Sequence, residues 1–350
     1  MFDLEDEDFD CCSNNNCKHI SDVVDEYLEQ LEYEYQNPDT PRGLSTGIKK
    51  LDEKLDGFKG GELILLGARP AMGKTAFAIN CAYNIASKFY QDAQEGKEEK
   101  SVLFFSFEYA PRQLISRFIS LKSQIPTWQL RSYLNPELFE KTIVAGRKIS
   151  KLPLHICEDY GCAHTIDKIK NYVLSFNNHG KISFIVIDYL QLLFFEKNEY
   201  TKVLQQLKNL AVSFNVPILV LSQLNRGVEN RADKRPLMSD LFSLSKDLSP
   251  VDKILFLYRE YYYLLYEEPK KYSKETIAHF EFRMERWEKE CRDIQNECEI
   301  IIAENKNGKM GTVKCFYDLS YGKFDNLEHD DEYLPEYIGC LLYTSPSPRD

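Results

Sequence analysis

The stretch that most constrains this chain is LILLGARPAMGKTAF, residues 63–77. Four apolar residues, Leu63 to Leu66, run into a loop that ends Gly73-Lys74-Thr75, and an Ala-rich amphipathic run follows over residues 76–87. Apolar strand, loop and helix form the context in which a phosphate-binding loop works. Backbone N–H groups of the loop and of the helix's first turn converge on a phosphate chain, and the helix dipole favours its negative charge. Ala68, Arg69, Pro70, Ala71, Met72, Gly73, Lys74 and Thr75 are therefore candidates to hold a nucleotide. In this pattern Lys74 reaches the β- and γ-phosphates and the Thr75 hydroxyl binds Mg2+. Ala68 stands where the general pattern has its first glycine. A chance turn ahead of a helix is the competing reading, and the flanks weigh against it.

Downstream, strand and helix patterns alternate. Residues 101–107 (SVLFFSF), 182–188 (ISFIVID), 217–222 (PILVLS) and 253–258 (KILFLY) are continuous apolar runs, as expected of strands buried on both faces. Residues 154–157, 299–303 and 312–317 read as further strands; residues 111–123, 136–150, 165–176 and 199–214 read as helices. A small helix and turn over 44–61 lead into the loop strand, and 90–100 reads as a charged loop. This alternation implies an α/β fold with a mainly parallel, twisted sheet flanked by helices. The 350 residues allow one or two domains, and a hydrophobic content of 43% suffices for a core.

The ends of the chain differ in character. Residues 2–10 are a like-charged block expected to be disordered. Residues 20–35 carry Val23, Val24, Tyr27, Leu28, Leu31 and Tyr35 at helical spacing, with Ser21 or Asp22 as cap and Pro38 beyond the end. One apolar stripe on a polar helix needs a surface to cover it, in its own domain or in a neighbouring subunit. Residues 37–42 are a linker. Residues 260–298 break the alternation and read as a surface insertion, with one long helix over 276–294. Its Tyr261, Tyr262, Tyr263 and Tyr266 either stack on bases or form a local cluster, which is the simpler reading. The domain expectation is an acidic leader and helix over 1–40, a main α/β domain over 41–327 interrupted by the insertion at about 260–298, and a tail over 328–339. Residues 340–350 resemble a translated sequencing adapter and are set aside as an artefact.

Net charge of −11 argues against a general polybasic coat for nucleic acid, while leaving room for a local basic groove. No run approaches the roughly 20 apolar residues of a membrane span, and the acidic start is not a secretory signal. Ten cysteines without a framework suit a reducing compartment, so the expected location is cytoplasmic. Cys12, Cys17 and His19 share a spacing with Cys157, Cys162 and His164; zinc is one reading and free thiols the default.

An ATPase needs a second magnesium contact, a group that orients water, and a sensor of the γ-phosphate. Asp188 ends one apolar strand, where a magnesium-binding carboxylate belongs. Glu108 ends another and is the candidate to polarise water. Gln223 ends a third and is placed to meet the γ-phosphate. Each also has an ordinary reading, as a turn residue, an exposed carboxylate or a loop-capping amide. In a parallel sheet all of these strand ends face one crevice.

Five stretches carry a resemblance to a known family: GARPAMGKTAF (67–77), FSFEY (105–109), VIDYLQLL (186–193), LSQLNRGVENRADKRPLMSDL (221–241) and FLYREYY (256–262). Over residues 20–327, insertion excluded, the chain resembles the motor domain of DnaB-type replicative helicases, hexameric superfamily 4 enzymes with a RecA-like core. The family accepts Ala at the position of Ala68. The resemblance implies that Lys74, Thr75 and Asp188 hold ATP and Mg2+, that Glu108 activates water, and that Gln223 couples the γ-phosphate to the loop beyond it. It implies a homo-hexamer on single-stranded DNA, helicase loader and primase as partners, and a role for helix 20–35 as the linker helix that docks on the next subunit.

Three departures stand out. The family's N-terminal primase-contacting domain has no room before residue 20, so the expectation is that it was lost, is encoded separately, or is cut off by an incomplete gene. The family's trans-acting Lys-x-Arg is here Glu304-x-Lys306, and Lys306 brings charge across a subunit boundary without the planar fork of Arg. The family's DNA-contacting Arg-Glu-Ser-Gly is here Phe242-Ser243-Leu244-Ser245, followed by Lys246, and the loop after Leu193 is short. The expected function is ATP-dependent unwinding by a ring. The alternatives are a RecA-like ATPase of another kind, or a weakened subunit that binds ATP without unwinding.

Overall fold

The structure, a computed structural model, describes residues 19–37, 40–132, 135–157, 166–177, 180–193, 200–241 and 247–327. The chain divides into two compact units, residues 1–42 and 43–350.

The described part of the first unit is built on helix α1 (Ile20–Gln36). Its cap differs from the expectation of Ser21 or Asp22. His19 sits in extended backbone, and its Nδ1 accepts the Ser21 N–H at 3.2 Å, so an imidazole nitrogen satisfies one of the helix's orphan donors. Arg42 pairs with Glu34 at 2.9 Å. Val23, Val24, Tyr27, Leu28, Leu31 and Tyr35 are all exposed within this unit.

The second unit is built on a sheet with β1 (Leu63–Ala68) near its middle. Its neighbours β5 (Ile218–Gln223) and β6 (Lys253–Tyr258) run parallel to it. Beyond β5 lie β4 (Lys181–Asp188), β2 (Lys100–Ser106) and β3 (Leu154–Cys157), also parallel. Beyond β6 lie β7 (Glu297–Asn305), β8 (Gly311–Asp318) and β9 (Lys323–Asp325), paired antiparallel. The nine strands run in the order β3-β2-β4-β5-β1-β6-β7-β8-β9.

All six residues of β1 are buried, because helices cover both faces. Ile64 and Leu66 join a core with α3 (Lys74–Gln94), α4 (Pro111–Ser123) and α6 (Pro136–Ile149). Leu63 and Leu65, pointing the other way, join a core with α7 (Ile166–Asn177) and α8 (Tyr200–Phe214). The smaller helices are α2 (Lys49–Leu55), α5 (Thr127–Ser132) and α9 (Glu260–Leu264); the last long one is α10 (Ile277–Ile294).

Several boundaries move. The helix that follows β1 and its loop does not stop near residue 87. It continues to Gln94 through the segment expected as a charged loop, which supplies a Lys88–Asp92 pair at 3.1 Å one turn apart, and the turn beyond it contains Gly96 at φ +80°. α5, α9 and β9 are additions, each too short to show a period. Between β6 and β7, α10 starts at Thr276, whose hydroxyl accepts the His279 N–H at 3.3 Å. Three of the four tyrosines singled out there, Tyr262, Tyr263 and Tyr266, pack with Tyr258, ring centroids 5.2–5.7 Å apart, so these form a local cluster.

Cys81, Cys157, Cys291, Cys298 and Cys315 are free thiols, and the described residues contain no cluster of three metal ligands. Cys12, Cys17, Cys162 and His164 lie outside the described residues, as do residues 242–246, 194–199, the acidic leader and the tail. Among the described residues no helix is long and apolar enough to cross a membrane.

Candidate functional site

The register of the sheet brings four strand ends to one edge. Ala68 of β1 pairs with Gln223 of β5, and Ser106 of β2 pairs with Asp188 of β4. Because these strands are parallel, their C-terminal ends line a common crevice, where open α/β sheets take their ligands.

The loop between β1 and α3 turns through Ala71 at φ +65° and Gly73 at φ +97°. A Cβ on Gly73 would come within 3.0 Å of the Tyr317 ring and 3.2 Å of the Phe324 ring, so glycine is required twice over. Gly73 is also the N-cap of the 21-residue α3 and makes no side-chain cap bond. A helix start without a side-chain cap is suited to an anion. Lys74 donates from Nζ to the Ala68 carbonyl at 3.2 Å. Burial lowers its pKa, and the carboxylates of Asp188 and Glu108 pull it back up.

The Thr75 hydroxyl donates to Asp188 Oδ2 at 2.9 Å. Asp188 is 1% exposed, and burial pushes its carboxyl up to about 6, against the Thr75 hydrogen bond and the charges of Lys74 and Arg117; repulsion from Glu108 adds to the rise. A hydroxyl and a carboxylate oxygen side by side are hard donors that fit Mg2+.

Glu108 lies two residues past the end of β2, not on the strand as expected. Pairing stops at Ser106, and Phe107 donates its N–H to the Asp188 carbonyl at 2.9 Å, which leaves Glu108 exposed on a bend beside the crevice. Gln223 ends β5. Its backbone N–H goes to Gln191 Oε1 at 3.3 Å, and Gln191 Nε2 donates to Ser222 Oγ at 3.0 Å and to the Gln223 carbonyl at 2.9 Å. Gln191 therefore ties the ends of β4 and β5 together.

Two of the candidates point elsewhere. Arg69 is buried and donates to Glu229 and to the Leu224 carbonyl. Lys306 lies at the opposite edge of the sheet, because β7 runs antiparallel to β6. Its Nζ donates to the Ser249 carbonyl at 2.5 Å and stands 3.8 Å from Asp252, which precedes β6. Within one chain it is not brought to the crevice.

Arg259, which the sequence reading leaves without a role, is here. It follows β6, is 3% exposed, donates to the Ala71 carbonyl at 3.3 Å, and lies 4.9 Å over the Tyr317 ring. Its Nε is buried without a hydrogen-bond partner. The available signal was a cation directly after the all-apolar strand KILFLY.

A profile of the DnaB-like helicase C terminal domain matches residues 43–326. The chain belongs to the DnaB-like helicase family. Among its relatives is the replicative DNA helicase DnaB of Rickettsia typhi, 36% identical over 313 residues, covering 87% of this chain and 61% of the relative. The DnaB of Geobacillus stearothermophilus is 32% identical over 328 residues, covering 91% and 64%. The chain thus spans less than two thirds of the length of these DnaB relatives. Among solved structures, an isolated ATPase domain superposes with a TM-score of 0.72 at 27% identity, covering 89% of this chain and all of that one. A DnaB-like replicative helicase, studied with its interactions with primase, superposes at 0.69 with 27% identity, covering 90% of this chain and 68% of that one. The RecA-like, DnaB-like α/β fold expected from the sequence is the fold observed.

Proposed function

We propose that this chain is the motor of an ATP-driven DNA helicase that works as a ring on single-stranded DNA during replication. The observation that carries the reading is the Thr75–Asp188 hydrogen bond at 2.9 Å beside a half-buried Lys74. In this reading Lys74 and the backbone of residues 68–75 hold the triphosphate of ATP, and Thr75 and Asp188 hold Mg2+. Bound there, Mg2+ neutralises phosphate charge as it develops. Glu108 polarises water, Gln223 senses the γ-phosphate through an end braced by Gln191, and the buried Arg259, packed on Tyr317 and bonded to the Ala71 carbonyl, supports the loop from below.

The exposed apolar stripe of α1 supports assembly into a homo-hexamer, the helix being covered by a neighbouring subunit. Lys306, at the edge remote from its own crevice, is the cation offered to a neighbour's nucleotide. The likeness to a DnaB-like helicase studied with primase supports primase as a partner, and the same reading extends to a helicase loader and to a cytoplasmic location away from membranes. Strand separation of a forked duplex by the purified protein with ATP and Mg2+ tests the reading. DNA-stimulated hydrolysis without unwinding removes the helicase assignment.

A second reading has its own observation. Glu304 replaces the first trans cation, and Lys306 is engaged in its own chain by Ser249 and Asp252. These favour a weakened subunit that binds ATP within a ring. ATP binding with zero turnover, with or without single-stranded DNA, is its signature; turnover indifferent to DNA marks a RecA-like ATPase of another kind.

A further inference from the structure

Arg69 sits inside the phosphate loop, yet its side chain leaves that loop and grips the segment after Gln223. Its Nε and one terminal nitrogen both donate to Glu229 Oε1, at 2.9 and 2.7 Å, and the other terminal nitrogen donates to the Leu224 carbonyl at 2.6 Å. The Leu224 N–H in turn goes to the Ala68 carbonyl at 3.1 Å. The segment is itself stiff. Residues 226–230 form a 3-10 turn around the fully buried Val228. Arg231 makes two bonds to the Asp240 carboxylate, at 2.8 and 2.9 Å, and one to the Arg235 carbonyl at 2.7 Å. Arg235 grips Glu299 at 2.8 and 2.7 Å and lies 4.7 Å over the Tyr258 ring. Residues 224–241 are thus a strap held by three arginine–carboxylate pairs, one of which is rooted in the loop that would take a phosphate.

The Arg231–Asp240 and Arg235–Glu299 pairs are forks onto two oxygens and resist both stretch and rotation, while Arg69 is held by two N–H groups on one Glu229 oxygen and a third on the Leu224 carbonyl, so a displacement at the loop end is passed on. The Arg69 side chain is 9% exposed and the Glu229 side chain 41%. The pair is therefore set at the surface end of an otherwise buried connection, where it can shift without unpacking a core.

We propose that the Arg69–Glu229 pair is the positioning contact through which occupancy of the phosphate loop sets the placement of residues 224–241. The proposal rests on the nucleotide-binding reading above and adds to it the route by which that site acts on a distant segment. Neither residue touches reacting atoms in it; both act through the strap.

Amide hydrogen exchange on the full chain tests it, with and without a non-hydrolysable ATP analogue and Mg2+, alongside a fluorescence titration of analogue binding. Binding is expected to slow exchange across residues 224–241 by about tenfold in the wild type. Glu229→Gln, which keeps the shape and removes the charge, is expected to bind the analogue within about threefold of wild type and to lose that slowing. Arg69→Lys keeps a cation in the loop without the fork and is expected to lose it as well. A merely structural pair gives a different result: faster exchange in both variants with the nucleotide-dependent ratio intact, which overturns the proposal. Analogue binding by the wild type with no change in 224–241 also overturns it and leaves the nucleotide reading standing. Absence of binding by the wild type removes both.

Discussion

Thr75 and Asp188 meet hydroxyl to carboxylate at 2.9 Å although 113 residues separate them. The contact exists because α3 begins at the end of β1 while β4, two strands away, ends at the same edge. A buried carboxyl held near a pKa of about 6, against 3.8 in the unfolded chain, carries a signed consequence. Between those values the folded chain binds more protons than the unfolded one, so stability falls as pH rises through that window, and the burden is complete above about 6. It amounts to roughly 3 kcal/mol. Asp188→Asn is therefore expected to stabilise the metal-free protein at pH 7.5, and the gain is expected to shrink towards zero near pH 4. Urea unfolding at the two pH values checks this; an equal difference at both contradicts it.

Substitutions at Lys74 and Glu108 are expected to separate binding from turnover. Lys74→Ala removes charge-assisted hydrogen bonds of ~1.5–3 kcal/mol each, so nucleotide affinity is expected to fall roughly 10- to 150-fold and hydrolysis to disappear. Glu108→Gln is expected to leave affinity near wild type and to stop phosphate release. Normal hydrolysis by Glu108→Gln would mean that another group polarises the water.

Lys306 is a point charge where a fork serves better. Trans-acting arginines contribute ~10³–10⁵ in rate in phosphoryl-transfer rings and their relatives. Lys306→Arg is expected to raise steady-state ATP turnover of the assembled protein. An unchanged rate places Lys306 out of reach of a neighbour's nucleotide and leaves it as the local tie to Ser249 and Asp252.

Leu28 and Leu31 stand 55% and 38% exposed on α1. Covering a leucine is worth ~1.5–3 kcal/mol. The double substitution Leu28→Glu with Leu31→Glu is expected to shift the protein from rings towards monomers in sedimentation velocity while leaving the thermal melt of the remaining fold in place. Rings of unchanged size would show that the stripe is not an assembly surface.

Lys253 is buried, donates to the Gly57 carbonyl at 2.8 Å, and pairs with the buried Glu62 at the start of the central strands. Burial already lowers the Lys253 pKa, and Glu62 raises it back. Glu62→Ala leaves that ammonium without its counter-charge and is expected to destabilise the fold by ~3–5 kcal/mol, read from denaturant midpoints. A loss under about 1 kcal/mol would indicate that the lysine sheds its proton instead.

The chain's alternating apolar runs and helical periods are enough to place β1 to β8 and the long helices, because a strand buried on both faces and a helix with one apolar face each leave a periodic trace. They also bring Lys74, Thr75, Asp188 and Gln223 to one edge, since every parallel strand delivers its C-terminal residue there. Segments as short as α5, α9 and β9 leave no such trace, and His19 as a cap is chemistry that residue preferences do not anticipate.

What the sequence by itself determined is the strand–loop–helix that starts at Leu63 and the row of strand ends beside it, both consequences of local pattern and of the parallel rule. Only the tertiary structure decided that Arg69 turns away to Glu229, 160 residues on, that Arg259 is buried against Ala71 and Tyr317, and that Lys306 lies at the far edge. The reason is that a long charged side chain has several partners within reach. Which one it takes is set by strand order, register and burial, and these belong to the assembled sheet and not to any stretch of residues.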